Sequence, residues 1–123
     1  MTEPKHSPSS INLHQKSRVL EVEYDNGAKF ELPCEYLRVY SPSADVKGHG
    51  AGQEVLQVGK ENVNIKEIEP VGNYAVKLVF DDGHNTGLYT WEYLYELGEA
   101  KDNYWDDYLD ALKQAGHTRQ LND

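Results

Sequence analysis

Apolar and polar residues alternate most clearly at two places along the chain. In Val19–Tyr24, Leu20, Val22 and Tyr24 fall on one side and Glu21 and Glu23 on the other, the period of a half-buried strand. Asp25-Asn26-Gly27 follows, a turn sequence that tolerates positive φ, and Ala28, Phe30 and Leu32 then alternate with Lys29 and Glu31. This pattern predicts a hairpin. Pro33 ends the second strand and suits a first helical turn, so a short turn over Cys34–Arg38 is expected. Residues 41–53 read as loop, with Ser-Pro-Ser followed by Gly48, Gly50 and Gly52.

The second place is Tyr74–Phe80, where Tyr74, Val76, Leu78 and Phe80 share a face opposite Lys77. Val63–Ile68 is a less regular strand before it. Asp81-Asp82-Gly83 makes a turn after it, and residues 85–90 are predicted to return as a partner strand. The period then changes. Thr90 can cap a short helix over Trp91–Leu97 with Gly98 just past its end. Asp102 can cap a longer one, in which Tyr104, Trp105, Tyr108, Leu109 and Leu112 follow helical spacing until Gly116. Strands first and helices last predict an α+β domain: a small antiparallel sheet, short helices and one longer C-terminal amphipathic helix. Residues 1–9 and 116–123 are polar enough to be expected as mobile tails around a single domain over 10–115.

Composition narrows the function classes. A chain of 123 residues is one domain's worth, and 12 Lys and Arg against 21 Asp and Glu give a net charge of −9. That balance excludes a nucleic-acid binder and docking on an anionic membrane. No apolar run approaches the roughly 18 residues of a membrane span, and residues 1–10 lack the apolar core of a secretory signal. A single cysteine, Cys34, cannot form an internal disulfide or hold a metal cluster alone, and a cytoplasmic setting is expected.

Much of the charge is local. Residues 91–110 hold Glu92, Glu96, Glu99, Asp102, Asp106, Asp107 and Asp110 against Lys101 alone, interleaved with Trp91, Tyr93, Tyr95, Tyr104, Trp105 and Tyr108. Two readings fit: a solvated acidic face on helices docked by their aromatic side, or a site at which acids such as Asp106 and Asp107 steer a basic protein onto an exposed aromatic anchor.

Catalytic motifs are missing. The one Gly-Lys pair, Gly59-Lys60, runs into Glu61 rather than the Ser or Thr of a phosphate-binding loop. Gly48-His49-Gly50 lacks the third glycine of a dinucleotide fingerprint, and no serine sits in an elbow motif. None of the five histidines begins a His-x-Asp or His-x-Glu iron motif. His84, at a turn between strands, is the best placed to reach a ligand; its alternative role is to hydrogen-bond across the loop and hold the turn.

The stretch Tyr74-Ala-Val-Lys-Leu-Val-Phe-Asp-Asp-Gly-His84-Asn-Thr-Gly-Leu-Tyr-Thr-Trp91, with Glu35-Tyr-Leu-Arg38 and Ser41-Pro-Ser-Ala-Asp-Val46, resembles the gamma-butyrobetaine hydroxylase-like N-terminal domain family over roughly residues 10–98. In that family the domain leads gamma-butyrobetaine and trimethyllysine dioxygenases, is appended to some iron–sulfur carrier ATPases, or stands alone in bacteria. The resemblance implies the stand-alone form, without the oxygenase domain that carries the hydroxylase activity. In the dioxygenases the domain holds a structural zinc through three cysteines after the Leu-Arg pair and the histidine of Asp-Gly-His. Here His84 matches, whereas Ser41, Ser43 and Val46 stand near the cysteine positions. Loss of the zinc is expected, since serine hydroxyls are poor zinc ligands. A replacement zinc or iron site from His84, His49 and Cys34 would require folding to bring them together.

The resemblance and the missing catalytic motifs together imply a non-catalytic binding or adaptor module, accessory to iron–sulfur or metal-protein maturation and contacting a carrier ATPase or metalloenzyme. Arg38, Ser41, Ser43, Asp82 and His84 are its candidate contact residues, with Asp106 and Asp107 on the acidic helix. The alternatives are a small enzyme with an unrecognised metal- or cysteine-dependent site, and a generic protein-interaction domain.

Overall fold

A computed structural model describes residues 6–43, 46 and 55–119. Its described elements are β1 (Pro8–His14), β2 (Val19–Tyr24), β3 (Lys29–Pro33), α1 (Cys34–Val39), β4 (Ile65–Val71), β5 (Ala75–Phe80), β6 (Leu88–Thr90), α2 (Trp91–Glu99) and α3 (Lys101–Gln114). The class is α+β as expected, but the strands form two antiparallel three-stranded sheets, ordered β1-β2-β3 and β4-β5-β6.

The predicted hairpin is β2–β3, with Leu20 opposite Leu32 and Val22 opposite Phe30. Its turn closes as Gly27 takes a φ of 89° and the Asn26 side-chain oxygen accepts from the Ala28 N–H. β1, which the hydrophobic pattern does not single out, is an edge strand. Its residues alternate between exposed and half-buried, so no strong apolar period marks it. It starts at Pro8, inside the segment expected to be a tail, and His6 stacks on Tyr95 at 3.7 Å.

The second sheet follows the pattern in Val76, Leu78 and Phe80, all buried. Tyr74 departs from it: it precedes the strand and is 42% exposed. β6 covers only Leu88–Thr90, because residues 85–87 form a loop that bonds to the chain after α1 instead of to β5. One core joins both sheets to the helices. Leu20, Val22 and Leu32 meet Ile65, Leu78 and Phe80, with Tyr36 and Leu37 from α1 and Leu94 and Leu97 from α2.

Thr90 caps α2 as predicted, its side chain accepting from the Tyr93 N–H at 3.0 Å. The helix does not stop at Gly98 but runs through it to Glu99. Gly98 has a packing role: a β-carbon there would lie 2.3 Å from the Phe30 ring, so only glycine lets α2 approach β3 this closely. α3 begins after Ala100, with Asp102 in its first turn rather than at its cap. There a carboxylate still favours the positive end of the helix dipole. Gly116, at a φ of 79°, ends α3: its N–H bonds the Lys113 carbonyl while the His117 N–H bonds that of Leu112. Of the predicted apolar face, Tyr108 and Leu112 are buried, whereas Leu109 is 36% exposed.

Candidate functional site

The last turn of α1 and the β5–β6 turn meet edge to edge. Gly83 takes a φ of 92°, which turns the chain at Asp81–Gly83 and directs Asp82 back towards Arg38. Arg38 is 7% exposed, an unusual place for a guanidinium. Its Nε donates to Asp82 Oδ2 at 2.9 Å and its Nη1 to Gln57 Oε1 at 2.9 Å. Lys60 Nζ donates to the same Asp82 oxygen at 2.8 Å, and the His84 N–H to Oδ1 at 3.1 Å.

Burial alone would raise the Asp82 carboxyl, but the hydrogen bonds from Lys60, His84 N–H and Arg38, with the Arg38 charge, outweigh it and hold it at about 2. A carboxyl held below its free value of 3.8 contributes stability that is complete above that pH and is lost as pH falls through about 2. Acid melts should therefore converge: the wild-type chain loses its advantage over Asp82→Asn between roughly pH 4 and 2. A constant gap across that window would contradict the assignment.

Beside this ion cluster lies a second set of bonds. Ser41 Oγ and His84 Nε2 are 2.8 Å apart, Ser43 Oγ and Thr86 Oγ1 are 2.6 Å apart, and the Ser43 N–H donates to Ser41 Oγ at 3.3 Å. Both serines are buried. Gly87 makes the closure possible, since a β-carbon there would lie 2.5 Å from Ser41 Oγ. Underneath, Tyr89 is fully buried and donates its hydroxyl to the Leu37 carbonyl at 2.6 Å. Burial pushes that hydroxyl far up, so it stays a neutral donor.

Folding thus brings together Arg38 with Asp82 and the two serines with His84. It does not bring in Cys34, which is fully buried with Sγ facing Asn64 Oδ1 at 3.8 Å. Burial pushes its thiol up to about 11, unlike the lowered value of a nucleophile or ready metal ligand. His49 lies outside the described residues. Lys60, Gln57, Thr86, Gly87 and Tyr89 complete the cluster without a sequence signal of their own, except that Thr86, Gly87 and Tyr89 follow His84 within one block.

A second feature, which shares Gln57 with the ion cluster, adjoins α1. The C-terminal end of that helix, residues 55–57 and α3 enclose a groove of about 350 Å³, lined by Tyr40, Val55, Leu56, Tyr93, Tyr108 and Asp107 among others. Asp106 and Asp107 are both exposed. The six aromatics of residues 91–110 are buried or half-buried, so none is the exposed anchor that one reading of that stretch requires.

A family model described as gamma-butyrobetaine hydroxylase-like, N-terminal, matches residues 11–95. The chain belongs to this family. Two NMR solution structures are each 51% identical to it with TM-scores of 0.81; one covers 96% of this chain and 93% of its own, the other 100% and 95%. A crystal structure of a protein of unknown function in the DUF971 family, from Acidithiobacillus ferrooxidans, is 42% identical with a TM-score of 0.65, covering 79% of this chain and 98% of its own. No curated protein matches the chain.

Family membership raises the question of the zinc held by the dioxygenase domains. The donors here do not fit it. Ser41 and Ser43 offer neutral hydroxyls, and Ser41 is itself within hydrogen-bond distance of the His84 ring nitrogen a metal would use. Among the described residues no group of three or more His, Cys, Asp and Glu side chains could hold a metal ion. Among these residues, too, no helix is long and apolar enough to cross a membrane.

Proposed function

We propose that this member of the gamma-butyrobetaine hydroxylase-like N-terminal domain family is a non-catalytic binding module, an adaptor whose partner is an iron–sulfur carrier ATPase or another metalloenzyme. One observation supports the non-catalytic part above all. The polar side chains at the loop cluster are committed to one another: Arg38 and Lys60 to Asp82, Ser41 to His84, Ser43 to Thr86. A general base or nucleophile must instead face a substrate with a pKa tuned to its task. The metalloenzyme part is supported by family kinship, since relatives of this domain are joined to such enzymes.

In this reading Arg38, Ser41, Ser43, Asp82 and His84 hold the two turns in register, and recognition falls to the adjoining surface. Affinity purification of the tagged full chain from a native extract tests the adaptor role. Enrichment of an iron–sulfur or metal-enzyme protein is expected. Recovery of no such protein above background would refute it.

A further inference from the structure

Among the described residues, three of the six exposed large hydrophobic side chains lie together. Val55, Leu56 and Val58 are 53%, 36% and 41% exposed, three large hydrophobic residues within four positions. Monomeric surfaces seldom gather such residues without a use for them. Val55 and Leu56 form one wall of the groove described above, Tyr108 and Ala111 of α3 contribute to the other, and Tyr40 and Tyr93 lie between.

The tyrosines offer rings rather than donors. Tyr40 donates to the Tyr104 carbonyl, Tyr93 to the Tyr40 carbonyl and Tyr108 to the Gln57 carbonyl, each at 2.6 Å. Those bonds fix the rings; Tyr108 is buried, and the half-buried Tyr40 and Tyr93 keep some apolar ring surface at the groove. Among the described residues the single charged residue in the lining is Asp107; Asp106 and Asp110, on the same helix, are exposed. Among the described residues neither Asp106 nor Asp107 forms a salt bridge.

We infer that this groove docks a segment of a partner protein that presents a large aliphatic side chain flanked by Lys or Arg. The inference rests on the binding-module reading and gives it an address and a partner chemistry. The aliphatic side chain removes the exposed apolar wall from water, and a flanking cation meets the Asp107 carboxylate. A second copy of this chain is the wrong occupant, because each copy brings the same acids and a net charge of −9. The direction of insertion is also settled: with the helix aromatics packed inward, the anchor comes from the partner and the pocket from this chain.

The test is an NMR titration of the full-length ¹⁵N-labelled chain with the peptide acetyl-Lys-Leu-Lys-Lys-Leu-Lys-amide. Two control peptides replace its leucines with serine or its lysines with glutamate. Saturable shifts are expected at Val55, Leu56, Tyr108 and Ala111 with the parent peptide, and neither control should reproduce them. Asp107→Lys should weaken binding by about tenfold or more. Ala111→Phe, at an exposed position, should fill the groove and abolish binding while the melting temperature is unchanged. Equal binding of the serine peptide, shifts confined to acidic residues away from Val55 and Leu56, or no binding would overturn the groove assignment. A metalloenzyme partner recovered by affinity purification alongside a negative titration would refute the groove and leave the adaptor role standing. Failure of both would refute the two together.

Discussion

Asp82→Ala is expected to destabilise the chain by about 1–3 kcal/mol, the range for leaving a buried polar group unsatisfied, because Arg38 is buried while the Asp82 side chain is 23% exposed. The magnitude comes from what is left behind rather than from the pair's own worth. Arg38 stays 7% exposed with its Nε facing no carboxylate, and burying an uncompensated guanidinium is expensive. Lys60 is less affected, because its ammonium stands at the edge of the cluster and can turn to water. The His84 N–H also loses its acceptor, which frees the turn that presents the imidazole to Ser41. Urea denaturation followed by tyrosine and tryptophan fluorescence reads the effect as a fall in midpoint. A domain of this size has roughly 5–15 kcal/mol in total, so the loss is a sizeable share of it. A loss below about 1 kcal/mol, the range of exposed pairs, would show that Arg38 and Asp82 are effectively in solvent.

A larger loss is expected at Tyr89, which is fully buried. Tyr89→Ala should cost about 3–5 kcal/mol, as truncation of other fully buried aromatics does, because it empties the space between β6 and α1. Tyr89→Phe separates two contributions. It keeps the ring and removes only the hydroxyl that reaches the Leu37 carbonyl at 2.6 Å, leaving that acceptor unsatisfied, at a cost of about 1–3 kcal/mol. The same urea measurement on both variants gives each number. A neutral Tyr89→Phe would mean that another donor reaches the Leu37 carbonyl.

Wherever one face of an element is buried and the other wet, the sequence makes the fold legible. β2, β3 and β5 carry that contrast, and α3 carries it along most of its length. β1 does not, since its inner face is only half-buried beside an exposed outer one. The Gly98 signal is ambiguous for a physical reason: glycine ends helices through positive φ, but it also allows close packing, and only the neighbouring Phe30 ring decides between the two.

The site divides in the same way. Arg38, Ser41, Ser43, Asp82 and His84 are legible as a group because two sequence blocks sit on turns that face each other. Lys60, Gln57 and Gly87 are not, since their roles depend on contacts made only in three dimensions. The acidic, aromatic stretch over residues 91–110 is legible as composition but not as geometry: its rings face inward and its acids outward.

The loop cluster of Arg38, Ser41, Ser43, Asp82 and His84 is a hydrogen-bonded brace where the family resemblance would put the zinc of the dioxygenase domains. Native mass spectrometry of the full chain, purified without chelator from cells grown with ample zinc and iron, tests this most directly. The mass of the polypeptide alone is predicted, with thermal melts that EDTA leaves unchanged. Near-stoichiometric bound metal that His84→Ala removes would contradict it.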